Sequence, residues 1–75
     1  MAPAFTPVSG KKMIKILEKE GYRILRTKGS HVRLEHSERK KVTVPMHKEL
    51  GTGLTLKILK DAEISQEKFL KLLEQ

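Results

Sequence analysis

The chain of 75 residues is long enough for one small domain and holds no cysteine, which excludes disulfide staples, thiolate metal sites and sulfur chemistry. Sixteen Lys and Arg against nine Asp and Glu give a formal net charge of +7, and residues 1–48 carry 12 of those bases but only 4 of the acids. A positive surface concentrated in the first two thirds of a chain favours a polyanion, most often nucleic acid, through phosphate contacts and counterion release.

Residues 1–8 contain Pro3 and Pro7 without a helical period and read as a loosely held arm ahead of a single domain over residues 9–75. Met1–Gly10 lacks the basic start and apolar run expected of a secretory signal, and no apolar stretch approaches the ~18–20 residues of a membrane span. A cytoplasmic location without membrane association is expected. Ser9 is a good N-cap for a helix over Lys11–Glu20, where Met13, Ile14 and Leu17 recur at helical spacing and Gly21 suits the position after the end. Tyr22–Lys28 is rich in strand formers, and Lys28-Gly29-Ser30 makes a turn. From His31 to His36 the residues alternate, with Val32 and Leu34 on one face and His31, Arg33 and Glu35 on the other. Ser37–Lys40 is a polar turn. Lys41–Val44 alternates again, with Val42 and Val44 inward and Lys41 and Thr43 outward. The three segments predict an antiparallel meander ended by Pro45, which cannot donate to a ladder. After a loop with Gly51 and Gly53, the residues Leu54, Ile58, Leu59 and Ala62 predict a second helix. Ser65 caps a short last helix holding Phe69, Leu70, Leu72 and Leu73.

The expected fold is α+β. It is α-β-β-β-α with a short extra C-terminal helix, a three-stranded antiparallel sheet with helices on one face, because each main helix has one apolar stripe to bury. The opposite face, with His31, Arg33, Lys41 and Thr43, is left open. This order is similar to that of double-stranded-RNA-binding domains, which read shape and 2′-hydroxyls more than sequence.

His31 is the sharpest chemical candidate. It opens a strand directly after a tight turn, its parity keeps it out of the core, and Arg26, Lys28 and Arg33 lie close enough in sequence to draw a phosphate toward it. Histidine exchanges a proton near neutrality, and RNA brings its own nucleophile in the 2′-hydroxyl. One well-placed acid–base group, worth ~10²–10⁴ in rate, would therefore serve a slow RNA cleaver without a metal. An exposed strand histidine with no role fits the same spacing. His47, past Pro45, can approach His31 if the strand ends cluster. Ser30 with Gly29 can offer a hydroxyl and N–H groups to a phosphate, although most such pairs are simply turns. Gly51-Thr52-Gly53 can cap a helix or hold an anion and lacks a nucleotide-triphosphate loop pattern. Lys11, Lys12, Lys15 and Lys19 suit either phosphate contact or a solvated face. His36 is assigned no role. The histidines show no metal-ligand spacing, so neither a metal nor another cofactor is expected.

Four pieces in order carry a family resemblance: Ser9-Gly-Lys with Ile14-Lys-Ile-Leu-Glu-Lys-Glu-Gly21-Tyr, Arg26-Thr-Lys-Gly-Ser-His31, Val42-Thr-Val-Pro45-Met-His47, and Gly51-Thr-Gly-Leu-Thr-Leu-Lys-Ile-Leu-Lys-Asp-Ala62. On these the chain resembles the HicA family of toxins, the YcfA-like mRNA interferases, over about residues 8–72. The resemblance implies a double-stranded-RNA-binding-like fold, metal-independent cleavage of mRNA, and inhibition by a HicB-type antitoxin that covers the active site. The family's catalytic histidine maps onto His31 and its second histidine onto His47. On this reading His31 acts as base on the 2′-hydroxyl or acid at the leaving oxygen. Ser30, Lys28 and His47 are auxiliaries, and Lys11, Lys12, Arg26, Lys28, Arg33 and Lys41 bind RNA. Oligomers are expected only through the antitoxin. One departure stands at Ala62-Glu63, where the family often has alanine-glycine; it should affect the helix end, not catalysis. The rival readings are a non-catalytic RNA-binding module of the same fold and a protein-interaction domain whose basic face meets an acidic partner.

Overall fold

The first helix forms where its caps and stripe dictate. In a computed structural model describing residues 8–74, α1 spans Gly10–Lys19. Ser9 is extended and its hydroxyl accepts the Lys12 N–H at 3.0 Å. Met13, Ile14, Ile16 and Leu17 are buried on one side. Gly21, at φ +97°, reverses the chain so that its own N–H reaches Glu18 O and that of Tyr22 reaches Leu17 O.

Three strands follow: β1 (Arg23–Lys28), β2 (His31–Glu35) and β3 (Val42–Pro45), antiparallel and in sheet order β1-β2-β3. Gly29 takes φ +58° at the first of the two turn positions between β1 and β2, as a II′-type hairpin requires. Val32, Leu34, Val42 and Val44 are buried, and alternation leaves His31 and Arg33 exposed on the other face. Two helices close the chain, α2 (Thr52–Asp61) and α3 (Gln66–Leu73), the latter capped by Ser65. α1 and α2 pack on β3, and α1 packs on α3. The core forms between that sheet face and the helices, around Met13, Ile16, Leu17, Leu34, Leu59 and Phe69. The architecture is the expected double-stranded-RNA-binding-like one, with the extra last helix.

Three details refine the expectation. The ends of β2 and β3 shift by a residue: His36 falls outside β2, Lys41 precedes β3, and Pro45 lies within it. Proline is tolerated there because the ladder bond beside the His31–Pro45 pair is made by Met46 N–H to Ser30 O, at 2.6 Å, and not by residue 45. All six residues of β1 are exposed, because β1 pairs with β2 beyond the reach of the helices. Val8, the last residue assigned to the arm, is buried and bridges Leu50; the rest of that assignment, residues 1–7, lies outside the described residues.

The end of the molecule away from His31 is tied by polar contacts. The Glu20 carboxylate, 8% exposed, meets Arg39 at 3.3 Å and Lys68 at 3.0 Å, and Arg39 also donates to Ala62 O. Burial pushes the Glu20 carboxyl up, but the hydrogen bonds and charges of Lys68 and Arg39 outweigh it and hold it below the usual carboxylate value. Tyr22 donates to Lys40 O at 2.6 Å, and burial raises its phenol. No helix among the described residues is long and apolar enough to cross a membrane.

Candidate functional site

The open face of the sheet is built in rows by strand register. Lys28, His31 and Pro45 lie opposite one another, and Arg26, Arg33 and Thr43 form the next row. Rows two residues apart are ~7 Å apart along a strand. The register shifts between Ile24 and Arg26, so Leu25 is the extra residue of a bulge. Ile24 pairs with inward-facing Leu34, whereas Leu25 joins Arg26 on the open face.

Two shallow concavities meet on this face. One, of about 490 Å³, is lined by Leu25, Arg26 and Lys28 and shares His31, Arg33, Lys41 and Thr43 with the other. The second, of about 400 Å³, continues from those shared residues to Pro45 and to the Leu54, Lys57, Ile58 and Asp61 side of α2. The helix therefore reaches round the β3 edge and walls the open face. Leu54, read from sequence as core, is 36% exposed for this reason.

His31 sits where the two concavities join, and no side chain among the described residues hydrogen-bonds to its ring. Arg33 is held in place: its Nη1 donates to Thr43 Oγ1 at 2.9 Å. Arg26, Lys28 and Lys41 are exposed around it. The one acidic residue lining either concavity, Asp61, pairs with Lys57 at 3.1 Å. Four cations around a histidine make a surface that attracts phosphate and can move a proton beside it.

The other sequence candidates are placed differently. Ser30 is exposed, and its carbonyl is engaged by Met46. His47 is exposed, with its carbonyl accepting from Gly10 N–H at 3.0 Å, and it lines neither concavity. That contact brings the first turn of α1, with exposed Lys11 and half-buried Lys12, against the end of β3. The approach is close: a Cβ on Gly10 would collide with the Pro45 carbonyl oxygen. His36 is structural. Its ring packs tilted against that of Tyr22, with centroids 5.0 Å apart, and its two nitrogens engage Glu20 O and Glu38 N–H. Since Glu38 donates to Nδ1, the proton sits on Nε2 and is given to Glu20 O. Among the described residues no three His, Cys, Asp or Glu side chains gather as metal ligands do. Leu25, Lys57 and Asp61 were not singled out from sequence. For α2 a usable signal exists: Leu54, Lys57, Ile58 and Asp61 stand at i, i+3, i+4 and i+7, one face of a helix.

A family model described as the HicA toxin of bacterial toxin-antitoxin matches residues 10–64. The chain belongs to the HicA toxin family. As a HicA toxin it is the toxin of a toxin–antitoxin pair and has an antitoxin partner. The match ends just past α2, so β1–β3, both concavities and His31 lie within the family region of this HicA chain, and α3 lies beyond it. No match was found among curated proteins.

Proposed function

We propose that this HicA toxin is a metal-independent ribonuclease that cuts mRNA, with His31 as its acid–base group. The supporting observation is the placement of His31 on the open sheet face, exposed, where the two concavities join and directly opposite Lys28. Lys28, Arg26 and Arg33 neutralise the phosphate. The 2′-oxygen bonds to phosphorus, the bond from phosphorus to the 5′-oxygen breaks, and one proton passes from the first oxygen to the second. His31 takes that proton as base or supplies it as acid. The products are a 2′,3′-cyclic phosphate and a 5′-hydroxyl. A HicB-type antitoxin rich in carboxylates would cover the same cationic face and shut the site, and oligomers would form through it.

The test is cleavage of a mixed mRNA by purified toxin in EDTA, with parent and His31→Ala side by side. Loss of about 10²–10⁴ in rate on substitution, with cyclic-phosphate ends in the parent reaction, is the expected result. Equal cleavage by both would refute the assignment. RNA binding by both without cleavage by either would replace it with the binding-module reading.

A further inference from the structure

The two concavities differ in chemistry. The one toward β1 is walled by Arg26, Lys28, Arg33 and Lys41 and suits a phosphate backbone. The one toward α2 has an apolar side, made by Pro45, Leu54 and Ile58, and carries the Asp61 carboxylate. Arg33, Lys41 and Lys57 line it too, so what sets it apart is the carboxylate, which accepts N–H groups. Lys57 occupies only Oδ2 of Asp61, and no described residue bonds to Oδ1. Among the described residues Tyr22 and Phe69 are buried, so the His31 imidazole is the aromatic ring on this face, and it stands at the junction of the two concavities. A second flat surface is the Arg33 guanidinium, fixed by Thr43, and such planes stack on bases.

We propose that the concavity between β3 and α2 is a nucleobase subsite that favours bases bearing an exocyclic amine over uracil. The base lies between Arg33 and Leu54. Its amine donates to Asp61 Oδ1, and the Lys57 ammonium faces a ring acceptor beside it, an arrangement akin to acidic side chains accepting from cytosine N4. Uracil turns carbonyl oxygens to the carboxylate on both sides of its single N–H. The subsite rests on the ribonuclease reading only for its position beside a scissile phosphate, since His31 and Arg33 line both concavities.

Mononucleotides offer no bond to cut, so they test the subsite whether or not the protein cleaves RNA. Full-length toxin is titrated with cytidine, uridine, adenosine and guanosine 5′-monophosphates and with ribose 5-phosphate, followed by amide and methyl NMR shifts. The expected result is tighter binding of the three amino-bearing nucleotides than of uridine monophosphate, by about tenfold, with shifts at Leu54 and Ile58. Asp61→Asn, nearly isosteric at a half-buried position, should erase the cytidine–uridine difference and leave ribose 5-phosphate binding as strong or stronger. Equal affinity for all four nucleotides, or shifts confined to Leu25, Arg26 and Lys28, would overturn the subsite. Cleavage that is lost while this base preference persists would count against the ribonuclease reading alone.

Discussion

Replacing Glu20 by glutamine removes one charge from the network that ties α1, the β2–β3 connection and α3. At an effective dielectric near 20, each of the two ion pairs at 3.0 and 3.3 Å has a gross attraction of about 5 kcal/mol. Two terms reduce it. Burying the carboxylate costs several kcal/mol, and the Lys68 and Arg39 side chains remain 53% and 25% exposed, so water screens them. A net loss of about 1–2 kcal/mol is expected, a fall in Tm of roughly 5–15 °C for a domain of this size. The pH dependence fixes the cause. The folded protein holds the Glu20 carboxyl below its ordinary value, so the unfolded chain takes up the proton first. The stabilisation is fully present above about pH 4.3 and is lost as pH falls through the lowered folded value. Thermal unfolding of parent and Glu20→Gln, followed by circular dichroism from neutral pH down to about pH 2, should show two curves that converge in acid. A gap that stays constant over the whole range would refute the charge argument and assign the effect to packing.

Glu63→Gly should stabilise the protein. Glu63 has φ +57° at the end of α2, a conformation costing a non-glycine residue about 1–2 kcal/mol, of which the extra unfolded-state freedom of glycine returns a part. A net gain of about 0.5–1 kcal/mol should appear as a Tm a few degrees higher; an unchanged or lower Tm would mean that the Glu63 side chain does more than sit strained. Lys28→Ala should weaken RNA binding about equally for all sequences and reduce the slope of log affinity against log salt by about one, measured by fluorescence anisotropy over a salt series. An unchanged slope would place the phosphate elsewhere than opposite His31.

The parts legible in the sequence are those set by neighbours along the chain. Ser9, Gly21, Gly29 and Ser65 mark turns and caps that depend on a few adjacent residues, and the alternation around Val32 and Val42 reports which strand face is buried. The open face follows from the same alternation, which puts His31, Arg33 and Thr43 on it together. The bulge at Leu25 was hidden, because one inserted residue breaks the alternation of β1 that would have revealed its faces. Leu54 belongs to an apolar stripe, which signals burial in general, whereas here it lines a wall that bends round the sheet edge. Glu20, Arg39 and Lys68 meet only after α1 and α3 pack, and no spacing announces a contact between residues so far apart. His36 has inward parity and was passed over; its work is to pin Tyr22 and the end of α1.

The free margin of β1 has a consequence for how copies of this toxin behave toward one another. Among the described residues nothing pairs with that margin, and it carries Ile24 and Leu25 in the open, 48% and 44% exposed, the kind of strand that recruits its own likeness into aggregates. Laid edge to edge, two copies would bring Arg26 and Lys28 of each against the same cations of the other, and the bulge would spoil the fit. That repulsion fades with ionic strength, its range shrinking from about 10 Å at 0.1 M salt to about 3 Å at 1 M. The isolated toxin should therefore stay dispersed best in dilute salt, and the charges proposed to draw a polyanion to the open face would also keep the molecules apart when no polyanion is present.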